Sequence, residues 1–158
     1  MSRELDSRLP RQLVQELTRT TPNLNAVLLI STDPRGFPHV SLLSYSELIF
    51  EEAILHFFLT NSSRSVKYLE VSGRCTLFFV RRNFVYYVKA RVNKVVEFSA
   101  QSVFRVEVVK VLEDSPLPEE KEVFLKTGIR FFATDKELRR QSKLKEEITK
   151  RIQSGLTG

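Results

Sequence analysis

Cysteine, histidine, tryptophan and methionine are all scarce in this chain: one Cys, two His, no Trp and one Met in 158 residues. The single thiol, Cys75, excludes an internal disulfide framework, and with His39 and His56 it cannot make a zinc site of the usual kind. No metal centre is expected, and a reducing, cytoplasmic setting is. Long apolar runs are missing too: no stretch reaches the roughly 18 uncharged residues that a membrane span needs. The opening segment MSRELDSRLPRQLVQELTRT is charged throughout, with no apolar core of leader length, so no membrane partner is expected. Nor does the sequence offer a defensible Ser-His-Asp or Cys-His set or a reasoned pair of carboxylates, which leaves catalytic residues unassigned.

What is present suffices for one ordinary core. With 42% hydrophobic residues, 1–158 reads as a single domain. The net charge of +6 is unevenly placed. From Lys121 onward ten Lys/Arg stand against five Asp/Glu, while the remaining 15 and 14 nearly cancel. The basic excess is therefore a property of the C-terminal part, not of the body.

Periodicity divides the chain into an N-terminal helical segment (1–24), a β-rich body (25–112) and a C-terminal helical extension (113–158). Leu13, Val14 and Leu17 follow Pro10 at helical spacing. NAVLLIST reads as a buried strand, DPRG as a turn and FPHVSLLSYSEL as a second strand closing a hairpin. Glu51 and Glu52 mark a turn before a third strand over 54–60. CTLFFV, FVYYVKARVNKVVEF and VFRVEVVKVLE give three more, the long one setting Val88, Ala90 and Val92 against Lys89, Arg91 and Asn93. Six strands with short turns and one inserted helix predict a mainly β fold, an antiparallel barrel rather than a parallel α/β sheet. In the extension, 118–126 suits a helix packed on the barrel, and 136–154 an amphipathic helix with its apolar row at Leu144, Ile148 and Ile152.

The stretch LTNSSRSVKYLE is the most telling. It ends a strand and opens a helix of about three turns, with Ser62 or Ser63 as cap and Gly73 at the stop. A helix N-terminus offers unpaired N–H groups and a positive dipole end. Added to these, Arg64 and Lys67 and the hydroxyls of Thr60, Ser62, Ser63 and Ser65 have the chemistry of a phosphomonoester cradle. The plainer alternative is that the serines only cap the helix while Arg64 and Lys67 are solvated.

The order of these pieces resembles the FMN-binding split-barrel family typified by pyridoxamine 5'-phosphate oxidase. The hairpin with its D-P-x-G turn and PHVSLL, the strand ending in TN, SRSVKYL and then CTLFF carry that resemblance over about 25–112. It implies a six-stranded antiparallel split barrel with peripheral N- and C-terminal helices. It also implies FMN as cofactor, with the flavin phosphate at Thr60, Asn61, Ser62, Ser63, Arg64, Ser65 and Lys67 and ring contacts from Leu42, Leu43, Ser44 and Tyr45. Ser65 replaces a lysine of the family motif, Ser41 and Ser46 fall where the vitamin-B6 enzyme has an arginine and a lysine, Val85 where it has glutamine, and Ala90 where many relatives have glycine.

The resemblance further implies a homodimer with the flavin at the interface, and FFVRRNFVYYV, five aromatics in eleven residues, offers Phe84, Tyr86 or Tyr87 for burial between copies. Alternatively these rings fill the barrel and pack under the C-terminal helices. The expected function is an FMN-dependent oxidoreductase acting on a small substrate or a nicotinamide donor, or a non-enzymatic flavin carrier, store or sensor on the same fold. A nucleic-acid role for the basic helix (Lys136, Arg139, Arg140, Lys143, Lys145, Lys150, Arg151) is the weaker reading, because Glu137, Glu146 and Glu147 interrupt its charge.

Overall fold

The structure, a computed structural model, describes residues 2–21, 23–81, 83–115 and 128–155. The elements run β1 (Ser2–Leu5), α1 (Arg11–Leu17), β2 (Ala26–Thr32), β3 (Pro38–Ser44), a 3-10 turn (Tyr45–Glu47), β4 (Leu48–Glu51), β5 (Ile54–Thr60), α2 (Arg64–Ser72), β6 (Arg74–Arg81), β7 (Phe84–Phe98), β8 (Gln101–Asp114) and α3 (Asp135–Gln153). All strand pairings are antiparallel, in the order β3-β2-β6-β7-β8-β5-β4, with β1 added beside β8. The antiparallel barrel expected from the sequence is thus present. Its six predicted strands are β2, β3 and β5 to β8, and two four-residue strands, β1 and β4, join them.

One boundary needs correction. The strand anticipated over 37–48 stops at Ser44, because the Ser44 N–H is taken by the Glu47 carboxylate at 2.6 Å in a capping box that starts the 3-10 turn. The chain turns there and pairs with β5 as β4. The helix anticipated over 118–126 lies outside the described residues.

The β2–β3 turn follows from its residues. The Asp33 carboxylate accepts the N–H groups of Arg35 and Phe37 at 2.8 and 2.9 Å, and Gly36 takes a φ of 86° that suits glycine. The tight turns β4–β5 and β7–β8 instead put Glu52, Ala53, Ser99 and Ala100 at positive φ.

Alternation fills the barrel with Val27, Leu29, Leu43, Phe57, Leu77, Phe79, Val88, Phe104 and Val111, joined by Leu13 and Leu17 of α1 and Val66 and Leu69 of α2. A second cluster lies outside the barrel wall. Ile49, Phe58 and Val103 present an apolar patch on β4, β5 and β8, and α3 covers it with Ile148, flanked by Leu144 and Ile152.

The opposite outer face has no covering helix among the described residues, and only its Val80 end is met by Gly128. Register sets Leu42, Leu28, Phe78, Tyr87 and Leu112 side by side across β3, β2, β6, β7 and β8. The next outward row is Val40, Ile30, Thr76 and Lys89. Val40 and Leu42 are 52% and 43% exposed. Of the aromatic candidates for an interface, Tyr86 is buried in the barrel and Phe84 packs against that core, whereas Tyr87 faces outward with its ring edge-on to Phe78 at 4.9 Å.

Candidate functional site

The mouth of α2 is built as its sequence predicts, with one division of labour the sequence did not reveal. Ser63 is the N-cap, its hydroxyl accepting the Ser65 N–H at 3.2 Å, and Gly73 ends the helix in the left-handed region. Thr60 and Asn61 hold the approach: the Thr60 carbonyl accepts the Ser63 N–H at 2.8 Å, and the Asn61 N–H donates to the Ala100 carbonyl at 2.9 Å. The Asn61 side-chain oxygen accepts the hydroxyl of buried Ser102 at 2.7 Å. That oxygen is therefore committed to the loop. Ser62, Arg64 and Lys67 remain exposed, and neither cation has a hydrogen bond or ion pair among the described residues. Three residues apart, Arg64 and Lys67 share one helix face.

Ser65 behaves differently from its neighbours. It is fully buried, and its hydroxyl touches that of Ser41 on β3. His39 Nε2 lies 3.5 Å from the same Ser41 oxygen, and the His39 ring meets Tyr68 of α2 edge-on at 5.0 Å. A polar string of His39, Ser41 and Ser65 thus joins strand to helix. In the sequence Ser41 and Ser65 are 24 residues apart; in the fold they are partners. Tyr68 was not anticipated, since only the pairing of α2 with β3 reveals it. His56 sits elsewhere: it shares the outward face of β5 with Phe58, which α3 covers, and its Nδ1 has no hydrogen-bond partner among the described residues. Burial, then the nearby Arg105 charge, hold its pKa below the ordinary histidine value.

The ring-side candidates divide in the same way. Leu43 points into the core, while Leu42, Ser44 and Tyr45 line an open cleft of about 850 Å³ between α1, the 3-10 turn, residues 131–133 and α3. Tyr45 is buried, and its hydroxyl donates to Glu16 at 3.3 Å; desolvation first, and the Glu16 charge second, push its pKa far up. Glu16 also pairs with Arg81 at 2.9 Å. At Ser46 the hydroxyl donates to Gln141 of α3 at 2.8 Å, and one turn further along that helix Lys145 donates to the Tyr45 carbonyl at 3.4 Å. Burial lowers the Lys145 pKa, so its ammonium is poorly solvated on the cleft wall. A cation thus stands one residue from Ser46, supplied by a different element.

None of the residues from Thr60 to Lys67 lines this cleft. Strand β3 connects the two regions: Ser41 faces α2, and Leu42 faces the cleft. As the last strand of the sheet order, β3 pairs only with β2 among the described residues, which leave the other edge of its backbone unpaired.

No protein-family profile matches the chain, and no curated protein sequence does. Solved structures do. A conserved hypothetical protein of Mycobacterium tuberculosis superposes with a TM-score of 0.55 at 8% identity, over 84% of this chain and 96% of that one. HupZ of Group A Streptococcus gives 0.53 at 10% identity, over 67% and 100%. HutZ, the heme storage protein of Vibrio cholerae, gives 0.51 at 13% identity, over 66% and 93%. At such identities the likeness is one of fold, and that fold is the antiparallel split barrel.

Proposed function

We propose that this chain is an FMN-binding flavoprotein acting as an oxidoreductase on a small molecule. The observation that carries the reading is the Ser63-capped mouth of α2, where, among the described residues, Arg64 and Lys67 stand exposed and unpaired beside the unpaired edge of β3. The donor set fits a phosphomonoester: two cations, the Ser62 hydroxyl and the positive end of a helix. Thr60, Asn61 and Ser63 shape that mouth, and Ser65 ties it to β3 through Ser41. Leu42, Ser44 and Tyr45 flank the ring side, with Lys145 as the cation on the cleft wall. Bound FMN supplies the hydride or electron transfer; the protein orients it and admits the substrate or a nicotinamide donor.

A homodimer belongs to this proposal. The row of exposed Leu42 and half-buried Leu28, Phe78 and Tyr87, with exposed Val40 beside it, is the face a second copy would bury. A cytoplasmic setting belongs to it as well, supported by the free, buried Cys75. Among the described residues no helix is long and apolar enough to cross a membrane.

The absorbance spectrum from 300 to 600 nm, taken after adding FMN and gel filtration, tests the reading. Flavin bands are expected to co-elute with a dimer and to be lost in Arg64→Ala/Lys67→Ala. Flavin content unchanged in that variant removes the phosphate assignment. A second reading, a non-enzymatic carrier or store of FMN or heme, is favoured by the hydroxyl pair Ser41–Ser65 at positions that are cationic in the vitamin-B6 enzyme and by the fold shared with HutZ. Heme retained in place of FMN, or FMN bound without turnover of NADH or NADPH, selects it.

A further inference from the structure

A second cluster of cations stands on the outer face of the barrel, on the strands β6 and β7. Arg74 of β6 is directly opposite Arg91 of β7, and Lys89 has Thr76 opposite on one side and Lys110 on the other. Like charges set opposite each other across strands repel. Two of the four are partly relieved: Arg91 has Glu107 at 3.8 Å, with both side chains mostly exposed, and Lys110 has Glu4 at 2.8 Å. Arg74 and Lys89 have no side-chain partner among the described residues.

These side chains border a groove of about 420 Å³, walled by Ile30, Pro38 and Val109 and bordered by Thr32 and Thr76. Arg74, Lys89 and Arg91 line it, and among the described residues no carboxylate does. A β-bulge shapes it: Lys89 pairs with Lys110 and Ala90 with Val108, so Val109 is the extra residue and stands 49% exposed at the wall. Bulges of this kind re-aim side chains beside binding sites.

We propose that this groove binds the phosphate group of a small molecule, a mono- or diphosphate, at a site separate from the mouth of α2. Arg74 and Arg91 present planar forks that match phosphate oxygens in pairs, Lys89 adds a point charge, and the threonine hydroxyls complete the donors. The volume is that of a small-ligand pocket, and the walls at Pro38 and Val109 limit its reach, which favours a compact anion over a polynucleotide. A bound phosphate also relieves the repulsion between Arg74 and Arg91, so the side chains that bind it destabilise the free protein.

Calorimetric titration of the full chain with sodium pyrophosphate, at matched ionic strength and in the Arg64→Ala/Lys67→Ala background to silence the helix mouth, tests the site. Binding is expected to persist there, and Arg74→Ala or Lys89→Ala should weaken it at least about tenfold. Thermal melts without phosphate give an independent, opposite sign: Arg74→Ala should melt higher than its parent, while added pyrophosphate should raise the melting temperature of the parent more than that of the variant. Affinity that is unchanged in both single variants, or that vanishes with Arg64 and Lys67 alone, overturns the proposal. A short DNA duplex that binds in a strongly salt-dependent way where pyrophosphate does not bind overturns it in favour of a nucleic-acid surface.

Discussion

The barrel has two apolar outer faces, and the chain treats them differently. On β4, β5 and β8 the patch of Ile49, Phe58 and Val103 is closed by Ile148 of α3, which is itself fully buried. Across β3, β2, β6 and β7 a comparable row leaves Leu42 and Val40 about half exposed. One face is therefore finished within the chain, and the other is apolar without a covering helix among the described residues. Arg64 and Lys67 at the mouth of α2, which meets β3 through Ser65 and Ser41, and Arg74 and Lys89 in the groove, all without a side-chain partner among the described residues, lie on or beside strands of that second side.

The sharpest test of this contrast is a pair of truncations. Ile148→Ala should cost about 2–4 kcal/mol in urea unfolding, through lost burial and a cavity under α3. Leu42→Ala should change the stability of the isolated chain by no more than about 0.5 kcal/mol. Equal losses would erase the distinction between the faces. Next in size, Val40→Glu with Leu42→Glu should halve the sedimenting mass at micromolar protein while leaving the far-UV spectrum intact; an unchanged mass would mean that copies meet elsewhere.

The covered face should also be the acid-sensitive one. His56 is held neutral by burial, its pKa depressed below 6.5 in the folded state, so unfolding takes up a proton. Its contribution is full above about pH 6.5 and is lost as pH falls below that, and His56→Gln should flatten melting temperature against pH between 7.5 and 5.5. Burial pushes the Cys75 thiol up to about 12, so native protein should react with a thiol reagent only on unfolding; prompt labelling at pH 8 would show that the wall at Cys75 opens. The smallest effect concerns turns. The β2–β3 turn has Gly36 at φ 86°, but the β4–β5 turn has Ala53 at φ 63°. Ala53→Gly should stabilise by roughly 0.5–1 kcal/mol and Gly36→Ala should destabilise by a similar amount, both read from urea midpoints.

The barrel was legible in the sequence because its signals are local. Period-two alternation located β7 to the residue, and Pro10, the pair Ser62 and Ser63, of which Ser63 is the cap, and Gly73 marked helix ends. The break at Ser44 was not legible, since Glu47 reads as an ordinary polar residue until its carboxylate closes on the Ser44 N–H. Within the candidate site, Thr60 to Lys67 could be picked out as a unit, but not that Ser65 turns inward to Ser41 or that Lys145 arrives beside Ser46. Those contacts join residues 24 and 100 apart. Composition and spacing carry no information about which distant elements will touch. The pairing of Arg74 with Arg91 is likewise a matter of register and appears only when β6 and β7 are laid side by side.

The chain just before α3 is stitched to the entry of β2. Ala26 donates its N–H to the Ile129 carbonyl and Phe131 to the Leu24 carbonyl, both at 2.7 Å, and Asn25 bridges Arg130. These are among the most distant pairings along the chain, and they form against a barrel whose own strands are complete far earlier in synthesis. A growing polypeptide therefore carries the patch of Ile49, Phe58 and Val103 without Ile148 until α3 emerges. Self-association through that patch before α3 arrives is the hazard that a late-arriving helix leaves open.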